Sequence, residues 1–345
     1  MTDTVYEEID SEDLSEVGTP GFLPTISMTE LYNSVYRDKP AVIEGLLYPG
    51  TYLFVGAPKQ GKSFLMLQMA YHISTGNPLW NYPVRQGTVL YLALEDDHSR
   101  LQSRLYRMFG AEATESLFLS VWSKQVGNGL SEQIEQFVRK HPDTVLVIID
   151  TLQKVRTTSD RYSYASDYEN ISTLKELATK LSICLLIVHH TRKQSSDDKF
   201  EMISGTNGLL GAADGAFILE KERRTAKTAT LEISGRDQQE QRLHLQQDLA
   251  TLQWLLERAE TELWQEPPEP LLQMVSQLLT KENPLWEGTP TDLAQALGLD
   301  MKPNQLSTKL NVNVRRLARE HNIRYRNSRT HAGRKITLEL IDSEA

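Results

Sequence analysis

Between the apolar run TYLFV (51–55) and the helical pattern FLMLQMAYHI (64–73), the sequence reads GAPKQGKSF (56–64). Gly56, Gly61, Lys62 and Ser63 match G-x-x-x-x-G-K-S, with a strand before and a helix after, the context that gives this pattern its meaning. The glycines let the backbone curl until successive amide N–H groups point inward at phosphate oxygens. The positive end of the following helix adds to that field. In such a cradle the Lys62 ammonium reaches the β- and γ-phosphates, and the Ser63 hydroxyl is placed to ligate Mg²⁺. The stretch Gly56, Ala57, Pro58, Lys59, Gln60, Gly61, Lys62, Ser63 and Phe64 is therefore read as the binding loop of a nucleoside triphosphate, with ATP and Mg²⁺ as the expected ligands. Lys59 is a second cation on the loop, readable as solvated or as a contact to phosphate or a partner.

Further apolar runs repeat the strand signal: TVLYLAL (88–94), LFLSVW (117–122), TVLVII (144–149), ICLLIV (183–188), GAFILE (215–220) and TATLEIS (228–234). The central ones are continuously apolar and β-branched, as strands buried on both faces are. Helical patterns such as LSEQIEQFVRK and YENISTLKELATKL separate several of them, which predicts an α/β fold with a mostly parallel sheet under helices on both sides.

Ligands bind such sheets at the carboxyl edge, so polar residues ending the strands are the candidates for chemistry. Asp150 ends TVLVIID and is read as the acid that orders Mg²⁺. Thr151 follows it, so the carboxylate that activates water must come from elsewhere. Glu95, ending VLYLALEDD, is the choice, with Asp96 and Asp97 as competitors. His189 and His190 end a third strand in LLIVHHTRK, and one of them is expected to sense the γ-phosphate; the residues do not say which.

Taken in order, GAPKQGKSFLMLQMA, GTVLYLALEDD, VLVIIDTLQ, LLIVHHTRK, SGTNGLLGAADGAFILEK and ISGRD resemble the RecA-like P-loop ATPase core. Within it they are most similar to the RepA-type replicative helicases and AAA-25-type ATPases of plasmids and mobile elements. The resemblance covers roughly residues 25–260. It implies a ring, usually hexameric, with ATP between neighbouring subunits and single-stranded DNA passing the loops at 153–166 and 191–203. It maps the catalytic acid onto Glu95, and onto Arg236 the arginine that reaches a neighbour's γ-phosphate. Arg223 and Arg224 are its rivals.

Net charge is −9, unevenly spread. Residues 1–18 hold seven acids and no Lys or Arg, whereas residues 301–336 hold ten bases against Glu320 alone. An excess of +9 in so short a segment points to a polyanion partner. The order helix, helix, basic helix, hairpin predicts a small α+β winged helix. Its recognition helix is PNQLSTKLNVNVRRLAREH, with Leu306, Leu310, Val314 and Leu317 inward and Lys309, Arg315, Arg316 and Arg319 outward. RYRNSRTHAGRK, with Arg326, Arg329 and Arg334, is read as the wing. These cations would neutralise duplex phosphates.

The expected organisation is an acidic disordered tail (1–24), an ATPase domain (25–262), a Pro-rich linker (263–270) and a DNA-binding domain (271–345). The single cysteine, Cys184, lies in an apolar run, and no run approaches the roughly 20 apolar residues that span a bilayer. The expectation is thus a soluble cytoplasmic protein without membrane contact. Its anticipated role is an ATP-driven DNA helicase or motor in replication. A DNA-bound ATPase switch and a filament-forming recombinase are the alternatives.

Overall fold

The computed structural model describes residues 23, 25–36, 40–156, 164–190, 207–223, 225–236, 238–260, 267–330 and 333–341. At 164–167, 207–208, 210, 329–330 and 333 it describes the backbone only. The expected acidic tail up to residue 22, residues 157–163 of the first DNA-facing loop, all of the second (191–203) and Arg224 lie outside the described residues. Contacts divide the chain into two units, one over Lys39–Gln265 and one joining the residues through Asp38 to Glu266–Ala345.

Helix α1 (Met28–Asn33) starts at a capping box, in which Ser27 and Glu30 bond each other's backbone N–H. It packs in the smaller unit, where Asn311 Nδ2 donates to Tyr32 O at 2.9 Å. By contacts, this helix, which falls inside the ATPase domain expected from residue 25, groups with the smaller unit; no composition shift marks a short helix that docks against distant residues.

In the larger unit all seven apolar runs are strands: β1 (Gly50–Gly56), β2 (Thr88–Ala93), β3 (Leu117–Ser120), β4 (Thr144–Asp150), β5 (Cys184–His190), β6 (Gly215–Glu220) and β7 (Thr228–Gly235). Two more follow, β8 (Gln241–Gln247) and β9 (Trp254–Ala259). The sheet runs β3-β2-β4-β5-β1-β6-β7-β8-β9, parallel from β3 to β6 and antiparallel beyond. Successive residues serve opposite faces, so Phe54 and Ile148 pack with α2 (Lys62–Thr75) and α3 (His98–Phe109). Leu53, Val55 and Ile149 pack with α4 (Leu130–Lys140), α6 (Tyr164–Leu181) and α7 (Asn207–Ala212) on the other side. A one-turn helix, α5 (Leu152–Val155), leaves β4. Cys184 is buried, and no described helix is long and apolar enough to cross a membrane.

The smaller unit adds α8 (Pro270–Ser276), β10 (Leu285–Gly288), α9 (Pro290–Ala296), α10 (Pro303–Val312), α11 (Val314–His321), β11 (Ile323–Thr330) and β12 (Gly333–Leu340). Its antiparallel sheet runs β10-β12-β11 over a core of Leu272, Val275, Leu293, Leu306, Leu310, Leu317, Ile336 and Leu338. The expected single helix is broken at Asn313, whose side chain donates to Lys309 O at 2.8 Å and competes with the helical ladder. The expected inward stripe is nonetheless buried across both pieces.

Candidate active site

Strand register gathers the candidates at one edge. Gly56 pairs with His190 across β1 and β5, and Ala93 pairs with Asp150 across β2 and β4. Two glycines of the loop have physical reasons to be glycine. A Cβ on Gly56 would sit 2.6 Å from Leu219 O, and Gly61 stands at φ +93° under the Trp254 ring.

Lys62 lies folded into this loop, only 5% exposed. Its Nζ donates to Gly56 O (2.7 Å), Ala57 O (2.9 Å) and His190 Nδ1 (3.0 Å). An ammonium can only donate, so His190 accepts through Nδ1. Burial brings the Lys62 pKa down to about 8, against the pull of Asp150 and Glu95. Burial, and then the Lys62 charge, lower that of His190. His189 is buried, and strand alternation turns it to the opposite face of the sheet from its neighbour.

Asp150 is 6% exposed and accepts from Ser63 Oγ at 2.8 Å and from the Tyr91 hydroxyl at 2.7 Å. Burial raises its pKa, and those two hydrogen bonds oppose the rise. Burial and the adjoining carboxylate push the Tyr91 hydroxyl well above its ordinary value, so it stays a donor. Glu95 is exposed and accepts from Thr151 Oγ1 at 3.1 Å. Its two competitors are occupied. Asp96 pairs with Arg104 (2.6 Å) and Arg100 (3.1 Å), and Asp97 caps α3 through Arg100 N (2.8 Å). Of the three adjacent acids, Glu95 is the one whose side chain bonds to the Asp150 strand end, through Thr151.

Several supports were missed from sequence. The Tyr91 hydroxyl sits in a run that reads as pure core. Trp254, fully buried, donates from Nε1 to Gly61 O at 3.2 Å, and its main chain exchanges two hydrogen bonds with Gln68 of α2. Trp80 Nε1 donates to Trp254 O at 2.7 Å. Arg104 also stacks over Phe64 of the loop, 5.1 Å from the ring centre. Among the loop residues themselves, Lys59 and Pro58 are exposed, while Gln60 Oε1 accepts from Ala57 N at 3.1 Å.

Arg236 is not in this cluster. It follows Gly235, which pairs with Gly215 at the start of β6, so it stands at the sheet edge opposite the phosphate loop. Exposed there, it donates to Gly211 O at 3.1 Å and lines a cavity of about 580 Å³ with Tyr168, Lys175 and Ala212. Arg223 is exposed in the loop after β6.

In the smaller unit several of the expected outward cations are paired within that unit: Lys309 with Glu269 (3.5 Å), and Arg316 and Arg319 with Glu320 (both 2.9 Å). Arg316 is a correction. Its side chain is 14% exposed and also donates to Pro267 O, so it is packed rather than presented. Arg315 and Arg334 are half-buried, Arg326 is exposed, and the Arg329 side chain lies outside the description.

Whether Mg²⁺ suits the site is a question of donors. No group of three or more His, Cys, Asp or Glu fit for a metal occurs among the described residues. Mg²⁺ beside a triphosphate is held by one or two protein oxygens, water and the phosphates. A hydroxyl on Ser63 adjoining the Asp150 carboxylate is that donor set, so the residues fit.

Fold and site together define a P-loop ATPase of the RecA-like class. The family model for an AAA domain, AAA-25, matches residues 23–196, half of the chain, and the chain belongs to this family. The ATPase domain of G40P superposes with a TM-score of 0.53 at 17% identity, over 63% of this chain and 92% of its own. A DnaB-like replicative helicase, solved with regard to its interactions with primase, gives 0.54 at 16% identity, over 71% of this chain and 70% of its own. At these identities the likeness is one of fold. No curated protein sequence matches the chain.

Proposed function

We propose that this chain is an ATP-driven, Mg²⁺-dependent DNA helicase or motor of the RepA type, serving replication of a plasmid or mobile element. One observation carries the reading: Lys62, Ser63, Asp150 and Glu95 share one sheet edge, while Arg236 stands at the other. An arginine so placed cannot serve its own loop and suits the next copy in a ring, hexameric by the family resemblance. The DnaB-like helicase among the fold relatives supports the same direction.

In this scheme Lys62 and the loop amides bind the β- and γ-phosphates, and His190 beside Lys62 reports their presence. Ser63 and Asp150 would hold Mg²⁺, which when bound would neutralise charge on the phosphates. Glu95 takes the proton of the attacking water, and a neighbour's Arg236 stabilises charge developing on the transferred group. The smaller unit acts as a duplex-binding winged helix over 271–345, with Lys309, Arg319 and Arg326 among its phosphate contacts.

Strand displacement on a forked DNA substrate tests the proposal. Displacement should need hydrolysable ATP and Mg²⁺. DNA-stimulated hydrolysis without displacement would instead identify an ATP switch, and a DNA-coating filament a recombinase.

A further inference from the structure

Two hydroxyls converge on one oxygen of Asp150, Ser63 from the phosphate loop and Tyr91 from the middle of β2. Ser63 is the residue read as a ligand of Mg²⁺, so in the loaded site its oxygen serves the metal. Tyr91 has no such second task. It is 0% exposed, and its neighbours in the strand, Val89, Leu90, Leu92 and Ala93, are apolar and buried. A hydroxyl in such a place costs free energy unless it is bonded, and a phenylalanine would fill the space without that demand. The register explains its reach. Ala93 lies beside Asp150, so Tyr91, two residues earlier on the same face, extends one ring's length along the sheet to the carboxylate.

We propose that Tyr91 is a positioning residue for the metal site, its hydroxyl holding the Asp150 carboxylate in place while Ser63 turns to the cation. The proposal rests on the ATP–Mg²⁺ reading above. Partners of this outer kind fix the orientation of a ligand without touching the metal, and their loss lowers metal affinity by about 10- to 100-fold.

The test is binding of a fluorescent ATP analogue to the full chain, titrated with Mg²⁺ and compared with EDTA. In Tyr91→Phe the affinity in EDTA should match the parent, while the Mg²⁺ concentration that half-restores tight binding rises about tenfold. With 3-fluorotyrosine at position 91, which keeps both hydroxyl and volume, that concentration should stay within about twofold of the parent. Equal Mg²⁺ dependence in parent and Tyr91→Phe overturns the proposal. So does a rise in the fluorotyrosine protein as large as in Tyr91→Phe, since packing alone would then be responsible. If Mg²⁺ leaves nucleotide affinity of the parent unchanged, the ATP–Mg²⁺ reading itself fails, and this proposal with it.

Discussion

An ammonium held at about 8, where the ordinary lysine value is 10.5, makes Lys62 a pH-sensitive part of the loop. Between those values the unfolded chain keeps a proton that the folded one has lost, so this group makes folding more favourable as pH rises across the window. Nucleotide binding runs the other way, because triphosphate favours the charged form. Affinity for ATP in EDTA should therefore fall as pH rises through about 8, measurable by calorimetry, and a flat profile to pH 10 would contradict it. Glu95 gives the second test at this scale. Glu95→Gln keeps the bond geometry available to Thr151 but cannot accept a proton, so ATP should bind normally while turnover falls about 10²- to 10⁴-fold. Because Asp96 and Asp97 are tied to Arg104, Arg100 and the α3 N-terminus, their amide variants should lose stability more than turnover.

Among the elements, β9 joins a distant stretch of chain to the phosphate loop through Trp254. Trp254→Phe retains most of the buried ring but removes the donation to Gly61 O, a neutral hydrogen bond of about 1 kcal/mol. Nucleotide affinity should drop about fivefold with Mg²⁺ dependence unchanged, and unaltered affinity would show that the bond is incidental to the loop. This strut marks where sequence reading stopped. Runs such as TVLVIID and CLLIVHH declare themselves because every residue but His190 is buried, and strand ends then point to Asp150 and His190. β8, QRLHLQQ, buries Gln241 beside Leu243 and Leu245, and β9 buries Trp254 alone of its six residues. These two strands look polar in sequence, since β8 is held by pairing onto β7 and β9 by pairing onto β8 rather than by their own hydrophobicity. The break at Asn313 and the docking of α1 were hidden for a related reason: each involves a side-chain bond to a backbone carbonyl, which spacing does not announce. Tyr91 was invisible because a tyrosine in an apolar strand reads as core until its hydroxyl is located.

Across the whole molecule, the sites divide between two units with different tasks. A fragment of residues 39–265 contains every nucleotide-site candidate and should bind ATP within about twofold of the full chain, while affinity for duplex DNA is lost. The full chain should bind duplex with a log–log salt slope of about −0.9 for each phosphate neutralised, and the fragment should lack that dependence.

The shared active site is tested most directly by mixing two inactive variants. Lys62→Ala lacks the cation beside the phosphates, and Arg236→Ala lacks the arginine at the opposite edge; each alone should hydrolyse ATP slowly. Because the arginine acts on a neighbour's nucleotide, Arg236→Ala subunits still hold an intact loop that Lys62→Ala neighbours can complete. Steady-state hydrolysis should therefore rise on mixing, peaking near equal proportions, while the total protein concentration is constant. If mixed assemblies form, as shown by mass spectrometry, and hydrolysis stays at the sum of the two separate rates, the arginine does not act across subunits and the account is wrong.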